Sequence, residues 1–532
     1  MNRKHLLTSG LLLTTALAPS LARADGGAVK RVTLLHIADT HAQLESHPEY
    51  MPGEDPIYPL MGGYARLKTA IDRARTQAGA PAFLVDGGDT FQGSAPAAWS
   101  QGQAVVGPLN GLGLDVCVPG NWEVVYGPEQ FKKLMGQLSC NVLAYNFHDT
   151  KTGKRLFAPA KMLERGGVKV AFVGITDPTT TQRQPPDEVR GLDSTRMVGL
   201  GEFVHQLKAT EHPDLVVAVT HAGLTVSRAI AREIPELDVV LSGHTHERTG
   251  QPIMEGKTIV VEPGSMGSFL GRLDLDLLAG GGVAAHRFEL IPVHAATFSE
   301  DPREKALVDA AVAPYRKRME EVVGKTETPL ARYDVLETAA DNFVADAVRE
   351  ATGADIGATN GFRYAPPILA GPISEGQLWN LLPLDARTKV GWITGKQLRD
   401  YLERELELVF SHDPWKLSGG WGPRLSGVRA EFTAFASPGH RLRVVEVGGK
   451  PLNDAAHYTF AGCERAGEAL DVVCRLQGVH DVKVLPMSVH QLLRAYLARH
   501  PLIAPKQEGR AVAVDLPNRV FSQDAILSEK QP

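Results

Sequence analysis

Eight short runs of continuously apolar residues, spread between residues 32 and 261, constrain the fold of this chain most. Continuous apolarity is typical of strands in sheets that are covered on both faces, because neither face meets water. Segments of helical or loop character separate the runs, as they do in α/β proteins. The runs lie at residues 32–37, 82–85, 116–118, 142–144, 168–173, 215–219, 239–241 and 259–261.

The length of 532 residues exceeds what one hydrophobic core accommodates, so at least two domains are expected. Near residue 300, Asp301 is a helix N-cap and Glu304 a capping-box glutamate, and together they predict a new helix. Pro314 should kink or divide that helix. The predicted divisions are a first domain over residues 28–300, a linker helix over 301–325 and a second domain over 326–525.

Residues 1–24 have the features of a secretory signal peptide. Arg3 and Lys4 precede an apolar run, and Ala22-Arg23-Ala24 offers small residues at a cleavage site. An uncleaved N-terminal anchor is the alternative. No other segment approaches the ~18 apolar residues that a membrane span needs. The sequence therefore predicts a periplasmic protein without a membrane partner, exported by either the general secretory or the twin-arginine route.

Composition argues against nucleic acid as a partner. Removal of residues 1–24 leaves 53 basic against 61 acidic residues, a net charge of −8 without a basic tail or cluster. The four cysteines include no Cys-x-x-Cys pair, so a thiolate metal site is poorly supported. Cys463 and Cys474 are the best candidates for a disulfide, and four buried free thiols are the alternative. The chain is expected to be a monomer.

Polar side chains follow five of the apolar runs directly. Ligands of α/β sheets bind beyond the carboxyl ends of strands, because short loops gather side chains at that edge. The donors are carboxylate and amide oxygens and imidazole nitrogens, a set that suits manganese, iron or zinc. A shared carboxylate can bridge two ions, which acidify a water for attack on an anionic oxyacid. The predicted donors are Asp39, His41, Asp89, Asn121, His221, His244 and His246.

These motifs resemble those of the calcineurin-like metallophosphoesterases, and in particular the 5′-nucleotidase family. The matching motifs are Asp39-Thr40-His41, Gly62-Gly63-Tyr64-Ala65-Arg66, Gly88-Asp89, Gly120-Asn121, the His221 loop and Gly243-His244-Thr245-His246. The resemblance implies an α/β protein, with a four-layer α/β/β/α first domain and a substrate-binding second domain of the 5′-nucleotidase type. It also implies that one metal ion is held by Asp39, His41, Asp89 and His246, and the other by Asp89, Asn121, His221 and His244.

Two motifs depart from the nucleotidase pattern. Phosphoesterases of the family carry Gly-Asn-His-Glu at residues 120–123, where the histidine stabilises transition-state charge and an aspartate three residues later orients it. This chain has Trp122 and Val125 at those two positions. Residues 458–465 also lack the Asn-x-Phe and Gly-Gly-Asp pattern of the loop that holds a nucleobase. Both differences argue against a nucleotide substrate.

The same differences resemble the thiosulfohydrolases of the sulfur-oxidation (Sox) system. The shared motifs are Gly120-Asn121-Trp122-Glu123, Asn360-Gly361-Phe362-Arg363-Tyr364, residues 378–383 and residues 415–424. This resemblance implies a hydrolase of sulfur–sulfur bonds, in which two Mn²⁺ ions activate a hydroxide that releases sulfate during thiosulfate oxidation. The substrate would be an S-thiosulfonate or S-sulfonate on the C-terminal cysteine arm of the carrier protein SoxYZ.

Besides Asp89 and Asn121, three residues are predicted to act on the substrate. Arg363 and Arg424 should bind sulfonate oxygens, because guanidinium groups suit oxyanions. Trp122 should pack beside the carrier arm, with a purely structural tryptophan as the alternative. Two other functions stay open at this point. One is a periplasmic 5′-nucleotidase or cyclic-nucleotide phosphodiesterase, and the other is a metal-stabilised binding protein without catalysis.

Overall fold

The structure is a computed structural model, and it describes residues 30–53, 55–417, 421–522 and 524–525. The signal peptide predicted over residues 1–24 lies outside the described residues. Within the described part of the chain, no helix combines the length and the apolarity that a membrane crossing requires.

The secondary structure of the first part of the chain alternates strands and helices. In order, its elements are β1 (Lys30–Ile37), β2 (His47–Pro48), β3 (Leu60–Met61), α1 (Tyr64–Ala78), β4 (Ala82–Asp86), α2 (Ala95–Ser100), α3 (Gln103–Leu112), β5 (Val116–Cys117), α4 (Pro128–Gly136), β6 (Asn141–Val142), β7 (His148–Asp149), β8 (Ala160–Arg165), β9 (Val168–Ile175), α5 (Thr180–Arg183), β10 (Leu192–Asp193), α6 (Leu200–Glu211), β11 (Leu215–Thr220), α7 (Leu224–Glu233), β12 (Val239–Ser242), β13 (Ile253–Glu255), β14 (Thr258–Val261), β15 (Phe269–Leu277) and β16 (Val283–Pro292).

Two six-stranded sheets form the centre of the first domain, in the orders β16-β15-β1-β4-β5-β6 and β13-β14-β12-β11-β9-β8. Alternate residues of β1 face opposite sides, as the two-residue period of a strand requires. Leu34 packs between the sheets with Phe172 of β9. Leu35 packs instead on the outer face, in one cluster with residues of α1, α3 and the helix that begins at Pro302. Helices α6 and α7 cover the second sheet. These are the four layers that the family resemblance implies.

The second part of the chain forms the other domain. Its elements are α8 (Pro302–Val312), α9 (Arg316–Met319), β17 (Val322–Thr326), α10 (Ala339–Thr352), β18 (Ile356–Gly361), β19 (Gly371–Ser374), α11 (Glu375–Leu381), β20 (Arg387–Thr394), α12 (Gly395–Phe410), β21 (Trp421–Ser426), β22 (Val428–Phe432), β23 (Leu442–Val447), β24 (Lys450–Pro451), β25 (His457–Cys463), β26 (His480–Ser488), α13 (Val489–Arg499) and β27 (Ala511–Ala513). A mixed sheet in the order β21-β18-β25-β20-β26 packs against α12.

The segment predicted as a linker helix over residues 301–325 is helical only in part. Helix α8 begins as predicted, with the Asp301 side chain accepting hydrogen bonds from the backbone N–H groups of Arg303 and Glu304. The helix is divided around Pro314, and α9 ends at Met319. From Val322 the chain is a strand, because β17 pairs with β19 and its backbone groups bond across that ladder.

The four cysteines are free thiols that form two close pairs. The sulfur atoms of Cys117 and Cys140 lie 2.9 Å apart, and those of Cys463 and Cys474 lie 3.2 Å apart. Cys463 ends β25, and its carbonyl oxygen accepts a hydrogen bond from the backbone N–H of Cys474. The predicted disulfide partners are therefore neighbours in the fold.

Candidate metal centre

The seven predicted donor residues come from the ends of five strands, in both sheets of the first domain. The loops after β1, β4 and β5 carry four of them, and the loops after β11 and β12 carry three. All seven side chains are buried, with at most 3% of any residue exposed. The sheets therefore bring together the residues that the sequence predicted to meet: Asp39, His41, Asp89, Asn121, His221, His244 and His246.

Six of these side chains form two groups in which the possible ligand atoms lie within 4.8 Å of one another. One group is Asp39, His41 and His246, and the other is Asp89, His221 and His244. Oδ2 of Asp89 lies 3.2 Å from Nε2 of His221 and 3.9 Å from Nε2 of His41, which belongs to the other group. Asp89 thus occupies the position that a bridging carboxylate needs.

An unpaired amide oxygen supports the fit of metal ions to this site. Oδ1 of Asn121 is buried without a hydrogen-bond partner, and so is Nδ1 of His246. Leaving a buried polar atom unpaired costs about 1–3 kcal/mol, so such atoms in a functional site point to a missing ligand. The donor set contains carboxylate, carboxamide and imidazole and suits a pair of divalent ions. Residues of this kind in this arrangement could hold two metal ions.

Backbone carbonyl groups orient two of the imidazole rings. Nδ1 of His41 lies 2.9 Å from the carbonyl oxygen of Gln92, and Nδ1 of His221 lies 2.7 Å from that of Gly87. Each contact fixes the Nδ1–H tautomer and directs Nε2 toward the cluster, as is usual for metal-binding histidines. The rings are therefore held in place before any ion binds.

The loops that carry the donors have strained backbones. Asp39, His41, Asp89, His244 and His246 have φ angles of 52°, 45°, 56°, 89° and 60°, in the left-handed region. Such residues cost of order 1–3 kcal/mol each and occur where the surrounding structure dictates them, often at functional sites. Gly120 shows how tightly the loops pack, because a Cβ atom there would lie 2.3 Å from Oδ1 of Asp89.

Burial disfavours ionised side chains in this cluster, and the neighbouring carboxylates determine which histidine stays protonated. Burial alone would lower the pKa of His221, but the carboxylates of Asp89, Asp39 and Glu123 together outweigh it and raise that pKa to about 10. Burial lowers the pKa of His41 to about 4. In the absence of metal, the cluster therefore retains a proton on His221. A cation would displace it, since ligating nitrogen atoms must be unprotonated.

A cavity of about 690 Å³ lies against the cluster and is lined by both domains. The first domain contributes Asp89, Asn121 and Trp122, and the second contributes the loop after β18. The Trp122 ring packs edge-on against Phe362 and Tyr364, with ring centroids 5.5 and 5.6 Å away. The structure thus places Trp122 on the cavity wall beside the predicted metal ligands.

Arg363, which is predicted to bind a sulfonate oxygen, lies in the cavity wall. Its Nη2 donates to the carbonyl oxygen of His244, whereas its Nη1 is buried without a partner. Burial lowers the pKa of Arg363 to about 10, so the guanidinium remains charged at neutral pH. The unpaired Nη1 is therefore a donor available to an anion in the cavity.

The structure does not bring Arg424 to the site, which corrects the prediction that it binds the sulfonate. Nη2 of Arg424 donates to the carbonyl oxygen of Asp334 at 2.8 Å, and Nη1 donates to that of Leu336. Its Nε lies 3.4 Å from the carboxylate of Asp341. The residues that line the cavity do not include Arg424. The preceding residues, 418–420, lie outside the described part of the chain.

Two residues near the cluster belong to none of the motifs identified in the sequence. Arg183 lines the cavity, and its Nη1 lies 2.9 Å from Nε2 of His244. The Tyr333 hydroxyl donates to the carbonyl oxygen of His246 at 3.0 Å. Both contacts join segments that are at least 61 residues apart. No local pattern could have indicated them.

The fold and the site define a metallophosphoesterase-type hydrolase. The profile of the calcineurin-like phosphoesterases matches residues 32–248, and that of the 5′-nucleotidase C-terminal domain matches residues 322–464. The chain therefore has an N-terminal metallophosphoesterase domain followed by a C-terminal domain of the 5′-nucleotidase type.

Individual relatives differ in what their names describe. The trifunctional nucleotide phosphoesterase YfkN of Bacillus subtilis is 27% identical over 94% of this chain, which spans only 36% of that longer protein. Sulfate thiohydrolase SoxB of Thermus thermophilus is 26% identical, with a TM-score of 0.84 over 94% of this chain and 99% of that one. A 5′-nucleotidase precursor from the same species is 22% identical, with a TM-score of 0.80 over 92% and 100% of the two chains, and supports the fold alone.

Proposed function

We propose that the chain is a periplasmic thiosulfohydrolase that releases sulfate from an S-thiosulfonate or S-sulfonate on a carrier-protein cysteine. Trp122 carries this proposal. Its indole stands on the cavity wall beside Asp89, at the position where phosphoesterases of the family have a histidine. Indole offers one N–H donor and no proton that transfers near neutral pH. The site therefore suits a leaving group that departs without general-acid help.

Leaving-group chemistry distinguishes the two substrate classes. A phosphate ester expels an alkoxide, which needs a proton, whereas a thiosulfonate expels a sulfur anion. Because a cysteine thiol has a pKa of about 8.5, the corresponding thiolate is a stable leaving group near neutral pH. Loss of the histidine then has little consequence for sulfonate hydrolysis and a large one for ester hydrolysis.

The chain's own residues have separate roles in this proposal. Asp89 would hold both ions, and Asn121 and the histidines would complete the two sites. Two divalent ions, which we propose to be Mn²⁺, would supply Lewis-acid stabilisation of the oxyanion and acidify a water. The free Nη1 of Arg363 would bind a sulfonate oxygen. Trp122, Phe362 and Tyr364 would form an apolar wall along the carrier arm, for which the C-terminal cysteine arm of SoxYZ is the proposed occupant.

The similarity to SoxB supports this proposal, because that protein is described as a sulfate thiohydrolase and aligns over nearly its whole length. A second candidate is a 5′-nucleotidase, since three relatives from Vibrio species carry that name. Trp122 argues against it, and so does Phe460, which is fully buried against Tyr401 and cannot clamp a base in the cavity.

The decisive experiment compares substrates with the manganese-loaded protein. Sulfate release should be measured from a carrier protein thiosulfonated on its C-terminal cysteine, with a carrier whose cysteine is replaced by serine as the control. Phosphate release from 5′-AMP should be measured in parallel. We expect rapid sulfate release from the cysteine carrier and little phosphate. Fast 5′-AMP hydrolysis without sulfate release would instead establish the nucleotidase.

A further inference from the structure

A short polar loop after β9 places a second guanidinium group at the metal centre. Arg183 is the last residue of helix α5 and lines the same cavity as Asp89 and Arg363. Its side chain is 21% exposed, so it is neither free in solvent nor sealed in the core. Nη1 lies 2.9 Å from Nε2 of His244.

A chain of hydrogen bonds fixes the position of this guanidinium. Oδ1 of Asp177 accepts from the backbone N–H and the hydroxyl of Thr179, both at 2.8 Å. The same Thr179 oxygen accepts from Nε and Nη2 of Arg183 at 2.9 and 2.7 Å. A hydroxyl has one proton to donate and two lone pairs, so all of its capacity is used. Thr179 is therefore a positioning residue for Arg183.

The guanidinium keeps donors to spare. Of its five N–H groups, two bond to Thr179 and one faces His244, so two remain for a ligand in the cavity that Arg183 lines. Arg363 approaches His244 from another direction, through the carbonyl oxygen. Two guanidinium groups thus flank one predicted metal ligand. Asp177 already pairs with one of them, because its Oδ2 lies 3.3 Å from Nε of Arg183, and an anion between the two guanidinium groups would offset the rest of their mutual repulsion.

We propose that Arg183 binds a peripheral oxygen of the tetrahedral oxyanion at this centre, and that it replaces the positive charge lost with the histidine at position 122. Asp177 and Thr179 hold Arg183 as an aspartate holds that histidine in the phosphoesterases. The proposal deepens the proposed function and rests on it only for the identity of the anion. The oxyanion is a sulfonate in a thiosulfohydrolase and a phosphoryl group in a nucleotidase.

Binding of inorganic sulfate to the manganese-loaded protein tests the proposal by calorimetry. Arg183→Ala should bind sulfate about 10- to 100-fold more weakly than wild type, the usual loss for a charge-assisted contact. Arg183→Lys should lose less, because it keeps the charge. Arg196→Ala is the matched control, since Arg196 lies 13 residues further along the chain, pairs with Asp193 and is 51% exposed. It should bind sulfate as wild type does.

The positioning role has its own test. Thr179→Val removes the hydroxyl and should weaken sulfate binding, whereas Thr179→Ser keeps it and should restore wild-type affinity. Metal content measured on every variant separates loss of the anion contact from loss of the ions. Wild-type sulfate affinity in Arg183→Ala, with both metals bound, would overturn the proposal. Weaker sulfate binding in that variant, together with a wild-type protein that is inactive on the carrier, would reject the thiosulfohydrolase and leave Arg183 in place.

Discussion

Asp89 is the residue that is predicted to bind both metal ions. Its carboxylate lies within 3.9 Å of histidine nitrogens from each group. Replacement with alanine should remove the bridge between the two metal sites. The manganese-treated variant should therefore bind fewer than the two ions per chain expected for wild type, and its turnover should fall by more than about 100-fold. Elemental analysis and the sulfate assay measure the two effects. An Asp89→Ala protein with two ions and full turnover would reject the ligand assignment.

At the same scale, Trp122 is the residue that we propose to determine the substrate class. Trp122→His should restore a proton-transfer group to the cavity and raise 5′-AMP hydrolysis at least about 10-fold, since general acids typically contribute about 10²–10⁴-fold. Val125 is buried, so the companion change Val125→Asp should lower the free energy of unfolding. It should raise 5′-AMP hydrolysis less than Trp122→His does. Phosphate release by wild type and both variants checks this. Efficient 5′-AMP turnover by wild type would remove the reason for the proposal.

Among the elements, strand β21 shows how a motif can mislead. Arg424 links this strand to the segment before α10 through two carbonyl groups, and to α10 itself through Asp341. Arg424→Ala should lower the free energy of unfolding by about 2–4 kcal/mol, because it leaves buried acceptors unpaired. Sulfate affinity and metal content should not change. Arg429→Ala in β22 is the control, since Arg429 is 41% exposed, and denaturant unfolding is the measurement. Impaired sulfate binding by folded Arg424→Ala would return the residue to the site.

Elements whose signals are local could be predicted from the sequence, and those that depend on distant partners could not. Apolar runs and the polar residues after them indicated the strands, and parallel strands bring such ends together whatever the loops do. The end of α9 was missed because β17 forms only against β19, nearly 50 residues later. Arg183 was missed for the same reason, because its role depends on a contact with His244, which lies in the loop after a different strand.

At the scale of the whole molecule, metal ions should contribute to stability. The donors come from both sheets, so bound ions would join two layers that also pack through apolar side chains. A ligand that binds only the folded state stabilises it by about 4 kcal/mol at a concentration about 1,000 times its Kd. Treatment with a chelator should therefore lower the melting temperature by several degrees, and added Mn²⁺ should restore it. An identical melting temperature after verified metal removal would contradict this expectation.

The second domain also contacts the loop of the first domain that carries His244 and His246. Their carbonyl oxygens accept hydrogen bonds from Arg363 and Tyr333, both of which belong to the second domain. In evolutionary terms, the two domains are therefore expected to be inherited together. A chimaera that joined this first domain to the second domain of a distant relative would lose both donors unless the new partner presented them at the same places. Recombination between family members should therefore succeed only where residues 333 and 363 travel together with the domain that they support.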